Sequence, residues 1–150
     1  MTAMPRVTIL VADDDEDDRQ LILEALTQCR LAADLHFVND GQALLDYLRH
    51  DGQRPPAHSP RPTLILLDLN MPRMSGTEAL AEIKADAALR EIPIVILTTS
   101  RTDKDVRVTY ELGASSYIAK PVTYDGLVAA MASLKQYWFE LVELPPERVP

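Results

Sequence analysis

Five side chains with chemically useful groups stand at the ends of apolar runs in this sequence. The run Leu-Ile-Leu-Leu at residues 64–67 leads straight into the carboxylate of Asp68. The other polar residues that directly follow an apolar run are Asp13, Asp14, Thr98 and Lys120. Such runs are typical of strands buried on both faces of a parallel sheet, and the carboxyl ends of those strands bind ligands. We therefore expect three carboxylates, a hydroxyl and an ammonium on one edge of one sheet.

Together these groups suit the transfer of a phosphoryl group. Close carboxylates repel one another, and a hard cation such as Mg²⁺, which takes carboxylate, carbonyl, water and phosphate oxygens, relieves that repulsion. One oxygen of Asp68 would then remain free as a nucleophile. Lys120 would offset charge on the phosphoryl oxygens, and Thr98 would donate a hydrogen bond to one of them. Taken alone, Asp68 has a simpler interpretation as the cap of a turn before Pro72.

Five strands must alternate with five helices to bring these residues to one edge. The strands are predicted at residues 7–12, 35–38, 64–67, 92–97 and 115–119. Capping residues and helical spacing of apolar residues predict helices that begin near residues 15, 43, 75, 102 and 123. This alternation predicts an α/β fold with a doubly wound parallel sheet.

The negative charge of the chain is concentrated in one stretch. The formal net charge is −8, and residues 13–18 are six consecutive acids. A local acidic cluster favours a cation site or a basic partner over a surface for nucleic acid or an anionic membrane. Acids at residues 16–18 are also expected in a first helical turn, where they suit the helix dipole. We assign residues 16–18 to that role, which leaves Asp13 and Asp14 for the site.

The 150 residues suffice for one domain, which we predict at residues 1–144, followed by a Pro-rich tail at residues 145–150. No apolar run approaches the roughly 20 residues that a membrane-spanning helix needs. The first residues contain no apolar signal region, so we expect a cytoplasmic protein. Residues 50–62 are rich in proline and predict an exposed loop.

The last helix, predicted at residues 123–142, carries two apolar stripes. The first stripe, spaced for one face toward a core, is Leu127, Met131, Leu134, Trp138 and Leu141. The second stripe is Val128, Phe139 and Val142. It favours a homodimer formed through the fourth and fifth helices, and the alternative is that it folds back on its own domain.

The motifs of this chain resemble those of the receiver domains of two-component response regulators. The resemblance covers roughly residues 7–138, and it rests on Asp13-Asp14, Asp68-Leu69-Asn70-Met71-Pro72, Thr98, Tyr117 and Lys120-Pro121. It implies a flavodoxin-like (βα)5 fold with strand order 2-1-3-4-5. The ending at residues 137–146 is similar to that of single-domain regulators paired with bacterial phytochrome histidine kinases.

The resemblance also implies a role for each site residue. Asp68 would accept a phosphoryl group from a sensor histidine kinase, and Lys120 would contact that group. Mg²⁺ would be held by Asp13, Asp14, Asp68 and the backbone carbonyl of Asn70. Thr98 and Tyr117 match the switch pair of the family.

The residues favour a phosphoacceptor switch over an enzyme, because no general base for rapid turnover is evident. The alternative is an aspartyl-phosphate hydrolase on a similar α/β sheet. Such hydrolases need a second acid two residues after the nucleophile, and Asn70 occupies that position.

Overall fold

The computed structural model describes residues 7–49 and 60–141. The strands are β1 (Val7–Ala12), β2 (Ala33–Val38), β3 (Leu64–Leu67), β4 (Ile94–Thr98) and β5 (Ser116–Ala119). The helices are α1 (Glu16–Gln28), α2 (Gly41–Arg49), α3 (Gly76–Ala85), α4 (Asp103–Leu112) and α5 (Tyr124–Gln136), and a π-helical turn (Tyr137–Leu141) continues α5. The predicted alternation of strands and helices is confirmed.

The five strands form one parallel sheet in the order β2-β1-β3-β4-β5, which confirms the predicted flavodoxin-like topology. The register aligns the carboxyl ends of the strands. Ala12 of β1 pairs with Leu67 of β3, so the acids that follow these strands are neighbours. Thr98 of β4 pairs with Ala119 of β5, which places Lys120 beside Thr98.

Helices cover both faces of the sheet, because alternate residues of the central strands enter two different cores. On β3, Ile65 and Leu67 belong to the first core, while Leu64 and Leu66 belong to the second. Helices α2 and α3 complete the first core, and α1 and α5 complete the second. All four residues of β3 are buried, and burying each such side chain stabilises the fold by about 2 kcal/mol. The buried strand therefore holds the backbone of Asp68 in a fixed position.

Several boundaries differ from the prediction by one or two residues, and long-range contacts explain the starts of β2 and α2. Strand β2 begins at Ala33, two residues early, since Ala33 pairs with Val7 of β1. Strand β4 begins at Ile94, two residues late, and extends one residue further to Thr98, while β5 begins one residue late at Ser116. Helix α2 begins at Gly41, two residues before the predicted start near residue 43. The Gly41 N–H donates to the Met74 carbonyl at 2.9 Å, and a Cβ there would lie 2.4 Å from that oxygen.

Most of the predicted loop at residues 50–62 lies outside the described residues. Its last three residues are described, and the prediction of exposure is wrong for Pro62, which is buried. The Tyr47 hydroxyl donates to the Pro60 carbonyl at 2.8 Å, and Arg61 donates to the Ala88 carbonyl at 2.9 Å. These contacts attach the end of the loop to the domain.

The last helix differs from the prediction of a continuous helix to residue 142, because α5 changes to a π-helical turn after Gln136. Leu127, Met131 and Leu134 of the first stripe are buried, as predicted. Val128 and Phe139 of the second stripe pack against the second core, as in the alternative in which this stripe folds back. Residue 142 and the tail at residues 145–150 lie outside the described residues. Among the described residues, no helix has the length and apolar character to cross a membrane.

Candidate functional site

Asp68 lies directly after β3 at the edge where the strands end, and it is buried. Its Oδ1 accepts a hydrogen bond from the Thr98 hydroxyl at 2.7 Å and another from the Asn70 N–H at 3.2 Å. The backbone of Asp68 touches the first residue of α3, because a Cβ on Gly76 would lie 2.1 Å from the Asp68 carbonyl oxygen. Asp68 is therefore held in place by hydrogen bonds to its carboxylate and by close packing of its backbone against α3.

The Lys120 ammonium contacts three carboxylates at once. Its Nζ lies 2.7 Å from Asp13, 2.7 Å from Asp18 and 3.1 Å from Asp68, and only 10% of the side chain is exposed. An ammonium has three protons, so each carboxylate takes one. Burial lowers the pKa of Lys120, but these carboxylates outweigh burial and raise the pKa of Lys120 above its usual range. Lys120 is therefore a fixed positive charge beside Asp68.

Asp13, Asp14 and Asp68 can each present one carboxylate oxygen within 4.8 Å of the other two. Asp13 is buried and Asp14 is exposed. Burial raises the pKa of Asp13, against the hydrogen bonds from Lys120 and from the Asp15 N–H. One ammonium does not balance these acids, so the cluster keeps a negative charge. Hard oxygen ligands with excess negative charge fit a divalent cation.

Tyr117 lies on β5 and connects the sheet to the loop after β4. Its ring is half-buried against the first core, and its hydroxyl donates to the Ser100 carbonyl at 2.9 Å. The Ser100 hydroxyl in turn donates to the carboxylate of Asp105 in α4. Thr98 thus contacts Asp68, while Tyr117 contacts the loop two residues further on.

The structure brings together the side chains of Asp13, Asp14, Asp68, Thr98 and Lys120, as the sequence predicted. The Asn70 carbonyl stays a prediction as a metal ligand. Tyr117 is positioned beside the loop that follows Thr98 and not against Asp68.

Asp18 is the site residue that sequence reasoning missed, because it was assigned to the first turn of a helix. It does lie in that turn, yet its carboxylate contacts Lys120. No local pattern reveals this contact, since the two residues are 102 positions apart.

Asp40 and Arg73 form a second ion pair close to the site. Asp40 is buried at the start of α2, where its Oδ1 accepts from the Ala43 N–H at 2.7 Å. Arg73 donates from Nε to Asp40 Oδ2 at 2.9 Å. Burial raises the pKa of Asp40, but the hydrogen bonds from Ala43 and Arg73 outweigh it and hold that pKa below its usual range. The pair attaches the chain after Asp68 to α2.

Comparison with known proteins identifies the class that this fold and site define. The family model described as response regulator receiver domain matches residues 9–132, and the chain belongs to this family. It is therefore a phosphoacceptor switch of two-component signalling rather than an enzyme, and the hydrolase alternative is not favoured.

Individual relatives are similar over nearly their whole length. Response regulator Rcp1 of Synechocystis is 38% identical over 94% of this chain and 95% of Rcp1. The crystal structure of the phosphorylated cyanobacterial phytochrome response regulator RcpA has a TM-score of 0.87 at 36% identity, over 95% of this chain and 100% of RcpA. The bacteriophytochrome response regulator RtBRR has a TM-score of 0.74 at 39% identity, over 95% of this chain and 86% of RtBRR.

A metal site is also known among these relatives. Rcp1 has been solved in an Mn²⁺-bound form, which superposes on this chain with a TM-score of 0.85 at 38% identity, over 95% of this chain and 100% of Rcp1. In this chain, the cluster of Asp13, Asp14 and Asp68 offers the carboxylate oxygens that a hard divalent cation takes as ligands.

Proposed function

We propose that Asp68 accepts a phosphoryl group from the phosphohistidine of a sensor histidine kinase. The observation that supports this proposal is the set of contacts around Asp68. Its carboxylate is buried at the end of a rigid strand, with the Thr98 hydroxyl on one oxygen and the Lys120 ammonium on the other. A hydroxyl and an ammonium beside a carboxylate are the donors that a transferred phosphoryl group needs.

In the transfer step, an oxygen of Asp68 forms a bond to phosphorus as the bond from phosphorus to the histidine nitrogen breaks. The bonding electron pair leaves with the imidazole, and Asp68 becomes an acyl phosphate. Lys120 and Thr98 then donate hydrogen bonds to phosphoryl oxygens instead of to the carboxylate, because the phosphoryl oxygens carry more negative charge. Asp13, Asp14, Asp68 and the carbonyl of Asn70 would hold Mg²⁺, which when bound supplies positive charge to the phosphoryl oxygens.

Phosphorylation is read out through the loop between β4 and α4 in this proposal. Thr98 moves toward the phosphoryl group, and residues 99–102 move with it. Tyr117 follows because its hydroxyl donates a hydrogen bond to the Ser100 carbonyl. Amide hydrogen exchange across residues 99–105 tests the coupling. Phosphorylation should change exchange there in the wild type and change it less in Tyr117→Phe, and an equal change in both proteins would exclude Tyr117 from the switch.

The partner that best fits is a histidine kinase of the phytochrome type in the cytoplasm, because the regulators RcpA and RtBRR are named for phytochromes. A homodimer through α4 and α5 is part of the same proposal. It draws on two exposed aromatic residues, Tyr110 in α4 and Tyr137 just after α5. No role in nucleic-acid or membrane binding is included, because the formal net charge of the chain is −8.

The experiment that tests the site is phosphorylation of the full chain with phosphoramidate and MgCl₂, followed by intact-protein mass spectrometry. The wild type should gain one phosphoryl group, and Asp68→Asn should gain none because its amide is not nucleophilic. Asp46→Asn is the matched control, since Asp46 is an acid on α2 that contacts only Gln42 among its described hydrogen-bond partners. Phosphorylation of Asp68→Asn at the wild-type rate would disprove the assignment.

A phytochrome histidine kinase labelled with radioactive phosphate then tests the partner. Label should move to the wild type and to Asp46→Asn but not to Asp68→Asn. Transfer from an unrelated histidine kinase at an equal rate would contradict the phytochrome pairing while leaving Asp68 as the acceptor.

A further inference from the structure

Asp18 lies in the first turn of α1, at a position where an acidic side chain ordinarily helps to cap the helix. Asp15 is the N-cap residue of α1, and its carboxylate accepts from the Asp18 N–H at 3.1 Å. Asp18 is the third residue of the helix, the position from which an acid can reach back to the N–H of the cap residue. Such a reciprocal pair would satisfy two backbone donors at the start of the helix.

Helix α3 shows that reciprocal pair in full. Ser75 accepts from the Glu78 N–H at 3.2 Å, and Glu78 accepts from the Ser75 N–H at 3.4 Å. In α1 the second half of the pair is replaced, because the Asp15 N–H donates to Asp13 at 2.9 Å. The Asp18 carboxylate is thus released from capping and contacts the Lys120 ammonium at 2.7 Å.

We propose that Asp18 is a positioning residue for Lys120 in phosphoryl acceptance, an inference that rests on the function proposed above. Two of the three ammonium protons are donated to Asp13 and Asp18, and the third points to Asp68. The contacts to Asp13 and Asp18 do not involve the acceptor. They can persist after Asp68 is phosphorylated, when the third proton passes to a phosphoryl oxygen.

Each anchor comes from a different structural element, which fixes the ammonium in more than one direction. Asp13 follows β1, while Asp18 belongs to α1, and Lys120 itself follows β5. The Asp18 side chain is 33% exposed, whereas that of Asp13 is almost fully buried. Asp18 therefore restrains Lys120 on the side that opens to solvent, where a phosphodonor must approach.

Two substitutions at one position separate geometry from charge. Asp18→Asn and Asp18→Ala remove the same negative charge, but only asparagine keeps an oxygen that accepts from the ammonium. Asp18→Ala should accept a phosphoryl group from phosphoramidate about tenfold more slowly than Asp18→Asn, because a misdirected catalytic donor loses rate. Asp17→Ala is the control, since it removes an exposed acid from the same helical turn.

A second readout reports on Lys120 without any phosphodonor or metal. Acetic anhydride labelling of the folded protein, quantified by peptide mass spectrometry, measures how accessible and reactive each amine is. Lys120 should be acetylated severalfold faster in Asp18→Ala than in Asp18→Asn. Both variants lose the carboxylate that favours the protonated ammonium, and only alanine also loses the oxygen that accepts from it. Asp17→Ala should stay close to the wild type. Thermal unfolding of each variant confirms that the proteins compared are folded.

The outcomes distinguish this inference from the proposed function. If the wild type gains no phosphoryl group at Asp68, the proposed function is wrong, and the labelling still tests the anchoring of Lys120. If the wild type is phosphorylated but Asp18→Ala and Asp18→Asn react at equal rates, whether both are slow or both unchanged, the positioning role is overturned. Equal acetylation of Lys120 in Asp18→Ala and Asp18→Asn would overturn it as well.

Discussion

At the scale of single residues, unlike charges in the site hold one another in place around Asp68. Asp13 is buried beside Lys120, and burial of either charge alone would be unfavourable. The ammonium compensates the carboxylates, and the remaining negative charge is what a divalent cation would neutralise. The same arrangement keeps a positive charge next to the proposed nucleophile before any phosphodonor arrives, so little reorganisation is needed during transfer.

Asp40 gives a prediction about pH at this scale. Its folded-state pKa is lower than its ordinary value of 3.8, so its charged form stabilises the fold above that pH, and the contribution is lost as the pH falls through the folded-state pKa. Asp40→Asn keeps an acceptor for the Ala43 N–H but loses the charge that faces Arg73. It should lower the free energy of unfolding at neutral pH by about 2 kcal/mol.

Urea unfolding of wild type and Asp40→Asn between pH 7 and pH 3 measures this effect. The difference between the two proteins should shrink as the pH falls below the ordinary carboxyl pKa. Asp46→Asn serves as the control, because Asp46 contacts Gln42 on the exposed side of α2. A difference that stays constant down to pH 3 would show that the charge of Asp40 does not stabilise the fold.

The site residues differ in how far the sequence could reveal them. Asp68 and Lys120 were predictable because each interrupts an apolar run at a strand end, where the sheet topology fixes its position. Asp18 was not, since acids in a first helical turn have an ordinary explanation. Its contact with Lys120 depends on how α1 is rotated against the end of β5, and no local sequence pattern encodes that rotation.

At the scale of elements, the start of α3 is pressed against the backbone of Asp68. The Gly76 N–H donates to the Leu69 carbonyl at 2.9 Å, and a Cβ on Gly76 would lie 2.1 Å from the Asp68 carbonyl oxygen. Since the obstacle is backbone and not a flexible side chain, α3 or the end of β3 must move to admit a methyl group. This close packing links the position of the helix to the position of the acceptor.

Gly76→Ala should therefore impair phosphoryl acceptance even though alanine favours helices. We expect a loss of about 2 kcal/mol in the free energy of unfolding, as for other overpacked sites, together with slower phosphorylation by phosphoramidate. Thr77→Ala, at the next position of α3, should leave both quantities nearly unchanged. If Gly76→Ala is as stable and as reactive as the wild type, the helix and the acceptor are not coupled in this way.

At the scale of the whole molecule, the sequence predicted the layers of the fold better than their boundaries. Apolar runs of strand length alternating with amphipathic segments are sufficient to predict the order of the elements. The start of β2 and the burial of Pro62 were missed because contacts with distant parts of the chain decide them. The second stripe of the last helix favoured an outward surface, whereas Phe139, within the π-helical turn, packs against the second core.

The inward position of Phe139 changes which residues a homodimer would use. Strand β5 is an edge of the sheet, with α4 packed toward the first core and α5 toward the second. Tyr110 in α4 is 49% exposed and Tyr137 after α5 is 50% exposed. In a twofold interface through these helices, each contact made by Tyr110 or Tyr137 would occur twice, once for each chain. An interface that buries about 800 Å² per chain would be enough for a stable dimer.

A double substitution tests this interface without removing the core contacts of Trp138 and Phe139, which a truncation after Gln136 would lose. In Tyr110→Glu/Tyr137→Glu, new carboxylates would face one another across the twofold axis and would be buried without partners. Light scattering should give the mass of two chains for the wild type and of one chain for this variant. Leu21→Glu, which adds an acid at an exposed leucine of α1, should stay dimeric. A wild type with the mass of one chain at every concentration would contradict the homodimer, and the two tyrosines would then be isolated exposed residues of the kind that monomers tolerate.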